Sequence, residues 1–172
     1  MTDTIPHIAK IKNQWLAEQV DVQYPTKESL AGRKLYLAKA EQQHFITLDT
    51  DIQYEPNFAE EDIFLVDFHR LTVMFSLLQS QRWDKPEEQE LIVEFLTQII
   101  YSEPCQLYLG FSNGEPVAAA MVTITDDASL ISDVVVNQAS DIENCARFAL
   151  SIANKLSLNN SSSRELYLEV TP

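Results

Sequence analysis

The run QLYLGFSNGEPVAAAMVTIT, residues 106–125, contains two strand patterns on either side of a tight-turn signal. Asn113-Gly114 lies between them, and the favoured two-residue hairpin turn needs positive φ at both central residues, which Asn and Gly adopt most readily. The residues before the turn (106–111) and after it (116–125) are rich in the apolar and β-branched types that strands prefer. The run therefore predicts an antiparallel β-hairpin.

The residues after the hairpin continue the sheet and then change their period. Residues 126–127 (DD) predict a second turn, and residues 129–136 (SLISDVVV) predict a third strand. Between residues 142 and 153 the apolar side chains repeat at helical spacing, and residues 165–170 (ELYLEV) predict a short last strand. Three antiparallel strands, a crossover helix and a further strand predict an α/β fold (α+β with a mixed sheet), in which the helix packs on the sheet.

The first 100 residues are predicted to be mostly helical. Residues 26–43 stay open between helix and strand, because their Lys, Glu and Ala content favours a helix whereas Gly32 and the alternation at residues 34–37 favour a strand. Residues 44–54 (HFITLDTDIQY) alternate in polarity and predict a strand. The other predicted elements are three helices. One runs from Thr4 to Tyr24-Pro25, and one runs from Asp62 to about Arg82 with Leu65 and Phe68 on its buried side. The third begins at Asp84-Lys85-Pro86 and runs to about Tyr101.

The composition predicts a single domain. A chain of 172 residues with 45% hydrophobic content can bury a core that is stable without disulfide bonds or structural metal ions. No apolar run approaches the ~20 residues that span a bilayer, and no N-terminal stretch has the pattern of a signal peptide, so we expect a cytoplasmic protein. Cys105 and Cys145 lack metal-ligand spacing, and we expect reduced core thiols and no metal ion.

The chain is strongly acidic, with a formal net charge of −14 from 26 acidic and 12 basic side chains. Its largest Lys/Arg cluster is Arg33-Lys34, so we expect no binding to nucleic acid or to an anionic membrane. The charge also opposes polyanionic ligands unless local donors overcome it, and it favours a small-molecule amine or a basic protein as partner. The alternative is that the acidic surface only keeps the protein in solution.

The order hairpin, strand, helix, strand resembles the central part of the GNAT superfamily of N-acetyltransferases. Residues 108–111 (YLGF) and 113–117 (NGEPV) are similar to that family's second and third strands, and residues 129–136 to its fourth. The resemblance covers about two fifths of the chain. It implies a GNAT-like acyl-CoA N-acyltransferase fold in one domain, with residues 44–172 as the core and residues 1–43 as an N-terminal helical extension.

The resemblance also implies a site for acetyl-CoA. In the family the fourth strand lies along the pantetheine arm, and the amides that open the next helix bind the pyrophosphate. Asp141 falls where the family has Gln or Arg, Asn144 where it has the first Gly, and Ala146 where it has the second. Asp141 opposes a diphosphate, and the alternative is that Ser140 or Asp141 only caps the helix. The implied cofactor-binding residues are Val134, Val136, Ile142, Asn144, Ala146 and Arg147.

Candidates for catalysis are few. Acetyl transfer needs a group that takes a proton from the acceptor amine, and Asp133 is the available carboxylate; its alternative role is that of a solvent-facing strand residue. His7, His44 and His69 have no obvious catalytic partner and are expected to be structural. The family pattern continues after its fifth strand with a helix and two strands, and we expect this chain to lack that half of the acceptor pocket.

Two functions of different class stay open. The first is an N-acetyltransferase that moves the acetyl group of acetyl-CoA to a primary amine. The second is a GNAT-like binding or assembly module that no longer binds CoA and forms a homodimer through an open sheet edge. Asp141 and Asn144 favour the second function, whereas the fold favours the first only by analogy.

Overall fold

The computed structural model describes residues 5–48, 54–100, 103–137, 141–158 and 164–171, which form one six-stranded sheet with helices on both faces. The strands are β1 (His44–Thr47), β2 (Ile63–Leu65), β3 (Cys105–Ser112), β4 (Glu115–Ile124), β5 (Ala128–Val136) and β6 (Glu165–Val170). The helices are α1 (His7–Ala17), α2 (Lys27–Ala40), α3 (His69–Ser80), α4 (Pro86–Leu96) and α5 (Ile142–Leu156). The strand order is β1-β6-β5-β4-β3-β2.

The C-terminal half has the predicted order of elements. Asn113 and Gly114 have positive φ angles, 54° and 79°, in the turn between β3 and β4. β5 pairs with β4 in antiparallel register and with β6 in parallel register, and α5 is the crossover between β5 and β6. The predicted hairpin, third strand, helix and last strand are therefore confirmed. The mixed α/β sheet has the order on which the resemblance to the GNAT superfamily is based.

The long helix predicted from Asp62 is wrong over its first part. Ile63–Leu65 form the edge strand β2, which pairs with β3 in antiparallel register, and α3 begins only at His69. Leu65 and Phe68, which we expected on the buried side of a helix, are exposed. The outer edge of β3 carries N–H and C=O groups that need partners, and a strand supplies these partners whereas a helix does not.

The region left open between helix and strand is helical. α2 begins after Thr26, whose side chain accepts a hydrogen bond of 3.0 Å from the backbone amide of Ser29. Gly32 faces α4 so closely that a Cβ atom built on it would lie 2.0 Å from the carbonyl oxygen of Leu91. Gly32 therefore marks a contact between two helices and not a strand.

Two predicted helix boundaries also differ from the structure. α1 ends at Ala17 and continues only as a short 3-10 turn, so the first helix stops well before Tyr24-Pro25. α4 begins with Pro86, as predicted, and ends at Leu96. α1 is followed by the helix α2, and α4 is followed by the strand β3, so each helix ends where the chain starts its connection to the next element.

The strand predicted at residues 44–54 forms at its start. β1 pairs with β6 in antiparallel register, with His44 opposite Val170, so it lies at the far edge of the sheet from the hairpin. Leu48 and Tyr54, which the prediction included, are not part of a strand. Residues 49–53 and the predicted cap at Thr4 lie outside the described residues.

The core has two layers, one on each face of the sheet. Along β3, Leu107 and Leu109 pack on the face covered by α1 to α4, whereas Tyr108 packs on the face covered by α5. The first layer also contains Trp15 from α1 and Tyr36 from α2. Helices from the first 40 residues therefore share a core with α3 and α4.

Cys105 is buried, Cys145 is half-buried, and both are free thiols. In the described parts of the chain, no three His, Cys, Asp or Glu side chains converge on a position for a metal ion. None of the helices described has both the length and the apolar character needed to cross a bilayer.

Replacing Gly32 with Ala would place a methyl group inside the contact between α2 and α4. In an open helix interior this change is stabilising by up to about 1 kcal/mol, but here the methyl overlaps Leu91 and lies 2.7 Å from Cβ of Phe95. We expect the free energy of unfolding, measured by urea denaturation, to fall by about 1–3 kcal/mol.

Gly114→Ala is the matched control. A Cβ atom there would meet nothing within 4 Å, and only the positive φ of 79° opposes it. A Gly32→Ala variant that is as stable as the wild type would contradict the close helix contact.

Candidate functional site

The two parallel strands at the centre of the sheet separate at their carboxyl ends. β5 and β6 are paired from Ala128 and Glu165 up to Ile131 and Leu168, although β5 continues to Val136. The register between β4 and β5 shifts at this point, and Asp133 has a φ of 55°. An extra residue in the left-handed region is a β-bulge, which bends its strand. The bulge therefore opens a cleft between β5 and β6.

A cavity of about 200 Å³ occupies this cleft. It lies between the diverging strand ends, the first turn of α5, the end of α2 and the turn after α3. Its walls are partly apolar and partly charged, and the residues are Lys39, Gln43, Arg82, Val134, Ile142, Cys145, Glu169, Val170 and Thr171.

Next to the cavity lies a buried group of four charged side chains and one tyrosine, the ion cluster: Lys12, Tyr36, Arg82, Asp133 and Glu169. Arg82 and Glu169 are the members that line the cavity. Lys12 is 0% exposed, and its Nζ lies 3.2 Å from Oδ2 of Asp133 and 3.1 Å from Oε2 of Glu169. Nη1 of Arg82 lies 2.9 Å from Oδ1 of Asp133. Two cations therefore face two carboxylates, and none of the four side chains is more than 12% exposed.

Hydrogen bonds complete the surroundings of Asp133. Oη of Tyr36 donates to Oδ1 at 2.8 Å, and Oγ of Ser132 donates to Oδ2 at 2.6 Å. Nε2 of Gln79 donates to the backbone carbonyl of Asp133, while the backbone amide of Asp133 donates to Oε1 of Glu169 at 3.3 Å. The bulged residue is thus held through both its side chain and its backbone.

The charges of the ion cluster stabilise one another. Burial opposes ionisation of Asp133, but Lys12 and Arg82 outweigh it and hold the pKa of this carboxyl far below its ordinary value. Burial likewise opposes a charged Lys12, but Asp133 and Glu169 raise the pKa of its ammonium well above the usual range. For Tyr36, burial and then the charge of Asp133 raise the pKa of the phenol, which stays a neutral donor. Lys12 and Asp133 are therefore charged, and Tyr36 is neutral, across the neutral pH range.

Asp133 is only 2% exposed, so it is not the solvent-facing strand residue of the alternative prediction. It lies behind the cavity wall, and Glu169 is the carboxylate of the cluster that lines the cavity. An efficient general base has a pKa near the working pH, and the two cations hold Asp133 far from that condition. Its catalytic role stays a prediction, and its contacts are those of a positioning residue.

The N-terminus of α5 is capped by its own side chain. Oδ1 of Asp141 accepts a hydrogen bond of 2.9 Å from the backbone amide of Asn144, and Oδ2 accepts one of 3.0 Å from the Asn144 side chain. The bond from the Asn144 amide lowers the pKa of Asp141, so the carboxylate is charged at neutral pH. The predicted cap is confirmed, and it engages an amide that the resemblance assigns to pyrophosphate.

The other implied cofactor residues lie in different surroundings. Val134 and Ile142 line the cavity, and Val136 packs beside the α5 layer of the core. Ala146 is buried in that layer, and Nε of Arg147 donates at 3.0 Å to a backbone carbonyl of the segment before β2. The structure brings two of the six residues to one cavity, and the cofactor roles of all six stay predictions.

Most residues of the ion cluster have no recognisable signal in the sequence. Lys12, Tyr36, Arg82 and Glu169 come from four separate parts of the chain. Lys12 alone had a local signal, because it lies four residues after Ile8 on the buried stripe of α1. A charge on an apolar stripe indicates a buried partner, and it predicts an acidic group opposite α1.

No protein-family model matches the sequence, and no curated protein matches it. Solved structures with a similar arrangement include a GCN5-related N-acetyltransferase from Kribbella flavida, with a TM-score of 0.47 and 12% identity over 79% of this chain and 53% of that one. This chain thus spans about half the length of the Kribbella flavida protein.

Two further structures are similar at the same level. A ribosomal-protein-alanine N-acetyltransferase from Brucella melitensis biovar Abortus has a TM-score of 0.45 and 16% identity over 64% of this chain and 82% of that one. A conserved protein of unknown function from Staphylococcus epidermidis has a TM-score of 0.48 and 13% identity over 97% of this chain and 71% of that one. The chemistry of the present chain has to be inferred from its own side chains.

Lys12→Met would remove one cation of the ion cluster and leave buried carboxylates without it. Breaking a buried ion pair in this way destabilises a protein by about 3–5 kcal/mol, and we expect that loss in urea denaturation at pH 7. Lys10→Met, at an exposed position of the same helix, is the matched control and should change the free energy of unfolding by less than about 0.5 kcal/mol.

The pH dependence distinguishes a charge effect from a packing effect. The folded-state pKa of Asp133 is depressed, so its stabilising contribution is fully present above the unfolded value near 3.9 and is lost as the pH falls below it. Without Lys12, the folded Asp133 takes up a proton at a higher pH than in the wild type. The difference in free energy of unfolding between Lys12→Met and the wild type should therefore become smaller as the pH is lowered from about 7 to about 4. A difference that is constant over this range would contradict the charge effect.

Proposed function

We propose that this chain binds the thioester end of an acyl-coenzyme A, of which acetyl-CoA is the simplest, and transfers the acyl group to an amine. The observation that supports this most is the cavity at the separated carboxyl ends of β5 and β6. Ligands of open α/β sheets bind beyond the carboxyl ends of the strands, where the strand edges and the following helix offer polar groups.

The edge of β5 beyond Ile131 fits an extended ligand. It no longer pairs with β6, and the strand is open towards the cavity at Val134. A ligand arm with its own amide groups can pair with such an edge as an added strand would. Pantetheine is an arm of this kind, because it carries two amides along an extended chain.

The walls of the cavity fit the acyl end of the ligand. Val134, Ile142, Cys145 and Val170 supply apolar surface for the thioester and a short acyl group. The volume of about 200 Å³ is below the ~300 Å³ at which pockets enclose a whole drug-sized molecule. The cavity therefore takes one end of the cofactor, and the nucleotide would lie outside it. Burial raises the pKa of the Cys145 thiol to about 11. The thiol is therefore uncharged at neutral pH, so it lines the cavity but does not act as a nucleophile.

The reaction is a direct transfer. The nitrogen of the neutral amine forms a bond to the carbonyl carbon, the carbon–sulfur bond breaks, and the sulfur leaves as the thiol of CoA with the proton that the nitrogen loses. Glu169 is the carboxylate that an amine in the cavity meets first. Asp133 positions Glu169, because its backbone amide donates to Oε1 and both carboxylates share Lys12.

Thermal unfolding in the presence of acetyl-CoA tests the proposal. A ligand at 100 times its dissociation constant stabilises the folded state by about 2.7 kcal/mol, which raises Tm by about 5–10 °C for a chain of this length. Ile142→Trp should reduce the shift, because the ring enters the cavity from a side chain that is 53% exposed and does not hold the core together.

Leu77→Trp is the control, because Leu77 is also 53% exposed on a helix but lies away from the cavity. Its shift should equal that of the wild type. No shift of the wild type at millimolar acetyl-CoA would end the proposal.

Asp141→Asn should strengthen the binding of CoA. Asn preserves the cap at the start of α5 but removes a negative charge from the place where a phosphate would approach. We expect the dissociation constant from isothermal titration calorimetry to fall by about two- to fivefold. Glu87→Gln, which removes a charge from the first turn of α4, is the control and should leave CoA binding unchanged. Weaker binding by Asp141→Asn would show that CoA does not use this end of α5.

A further inference from the structure

The site carries a positive charge in excess, in a chain whose net charge is −14. Three cations border or underlie the cavity, Lys12, Lys39 and Arg82, against the two carboxylates Asp133 and Glu169. A local excess of positive charge inside an acidic protein attracts an anion to that place, and the acidic remainder of the surface directs anions away from other places.

Lys39 is the cation without a carboxylate. Among the described residues, no Asp or Glu oxygen lies within 4.0 Å of its Nζ, whereas Lys12 and Arg82 both form ion pairs. Burial, and then the charge of Arg82, lower the pKa of Lys39, while the smaller effects of Asp84 and Glu88 oppose this. The charged form of this half-buried ammonium is thus disfavoured by its surroundings, and a bound anion would stabilise it.

Lys39 also has two structural roles. It lies in the last turn of α2, where a cation interacts favourably with the helix dipole, and its Nζ lies 5.0 Å from the ring centroid of Trp83. Neither contact neutralises the charge. The neighbouring side chains of Gln43 and Thr171 are uncharged, and they are hydrogen-bonded to each other at 2.9 Å.

Arg82 can provide a second donor. Its Nη1 is used by Asp133 and Gln79, but Nη2 is 3.9 Å from the nearest oxygen of Glu169, which is beyond hydrogen-bond distance. The guanidinium is 12% exposed and lines the cavity together with Lys39. A guanidinium and an ammonium on one wall are the donors that carboxylates prefer.

We propose that Lys39 and Arg82 bind the carboxylate of a reactant in this cavity. This rests on the proposed acyl transfer and adds a substrate class to it: either the acyl group ends in a carboxylate, as in a succinyl thioester, or the acceptor amine is an amino acid. The shared chemistry is a carboxylate a few bonds from the reacting carbonyl carbon or nitrogen, within a cavity of about 200 Å³.

Paired ligands that differ only in the carboxylate test the proposal by isothermal titration calorimetry. Succinyl-CoA is compared with butyryl-CoA, and glycine with glycinamide in the presence of free CoA, which has no acyl group to transfer during the titration. In one of the two pairs, we expect the ligand with the carboxylate to have a dissociation constant about tenfold lower than that of its partner without the carboxylate. Preference for succinyl-CoA assigns the carboxylate to the acyl group, and preference for glycine assigns it to the acceptor.

Two variants of α2 show whether the preference depends on Lys39. Lys39→Met keeps an apolar stem against Trp83 and removes the charge, and it should abolish the preference. Lys34→Met removes the same charge from an exposed position of the same helix and should preserve it. Equal affinity within both pairs in the wild type would overturn the proposal. A loss in Lys39→Met that is the same for all CoA ligands would overturn it too, because the anion would then be a phosphate.

Binding to the carboxylate site can also be measured with ligands that contain no thioester. Free succinate and free glycine are titrated separately at millimolar concentration with thermal unfolding as readout. The one that matches the preferred pair should raise Tm of the wild type and of Lys34→Met but not of Lys39→Met. If no acyl-CoA binds while this difference is present, the acyl-transfer proposal fails and the carboxylate site stands. If acetyl-CoA binds and this difference is absent, the carboxylate site fails and acyl transfer stands.

Discussion

Asp133 places a negative charge inside the sheet, and Lys12 and Arg82 make that charge tolerable. An isolated buried charge costs several kcal/mol, so the segments that carry these side chains are stable only when they are packed together. Lys12 comes from α1, Arg82 from the turn after α3, and Asp133 from β5. The first helix of the chain is thereby tied to the centre of a sheet formed more than 100 residues later.

The same carboxylate determines the shape of the site. Asp133 lies at a bulge with a φ of 55°, and its backbone amide is bonded to Glu169 of the neighbouring strand instead of to a backbone carbonyl. Beyond this point β5 and β6 separate, and the space between them is the cavity. The residue that is stabilised by the ion cluster is therefore also the residue at which the cavity opens. Lys39 adds a positive charge that no carboxylate of the cluster pairs with.

The end of α5 shows how stability and ligand binding compete for one group. Asp141 satisfies the amide of Asn144 and stabilises the helix at its positive end. A phosphate would use the same amide and would meet the charge of Asp141. Asp141 thus opposes an anion at the start of α5, whereas Lys39 and Arg82, which line the cavity, carry the charge that would attract one.

Local patterns were sufficient to predict the C-terminal half. The Asn113-Gly114 turn, the alternating strands and the helical period before β6 depend on neighbours within a few residues, and the structure has all of them. The cap at Asp141 is of the same kind, because its partner is three residues away. Interactions of this range are encoded in the order of residues and do not need the rest of the fold.

The tertiary structure decided what depends on distant partners. Ile63–Leu65 fit either a helix or a strand by composition, and the unpaired edge of β3 made them a strand. Gly32 fits a turn, a strand or a helix contact, and the approach of α4 made it the last of these. Lys12 and Glu169 are 157 positions apart, and their meeting depends on the packing of α1 against the sheet. The sequence by itself determined which elements form, whereas only the fold determined which charges meet, because a buried charge finds its partner through space and not along the chain.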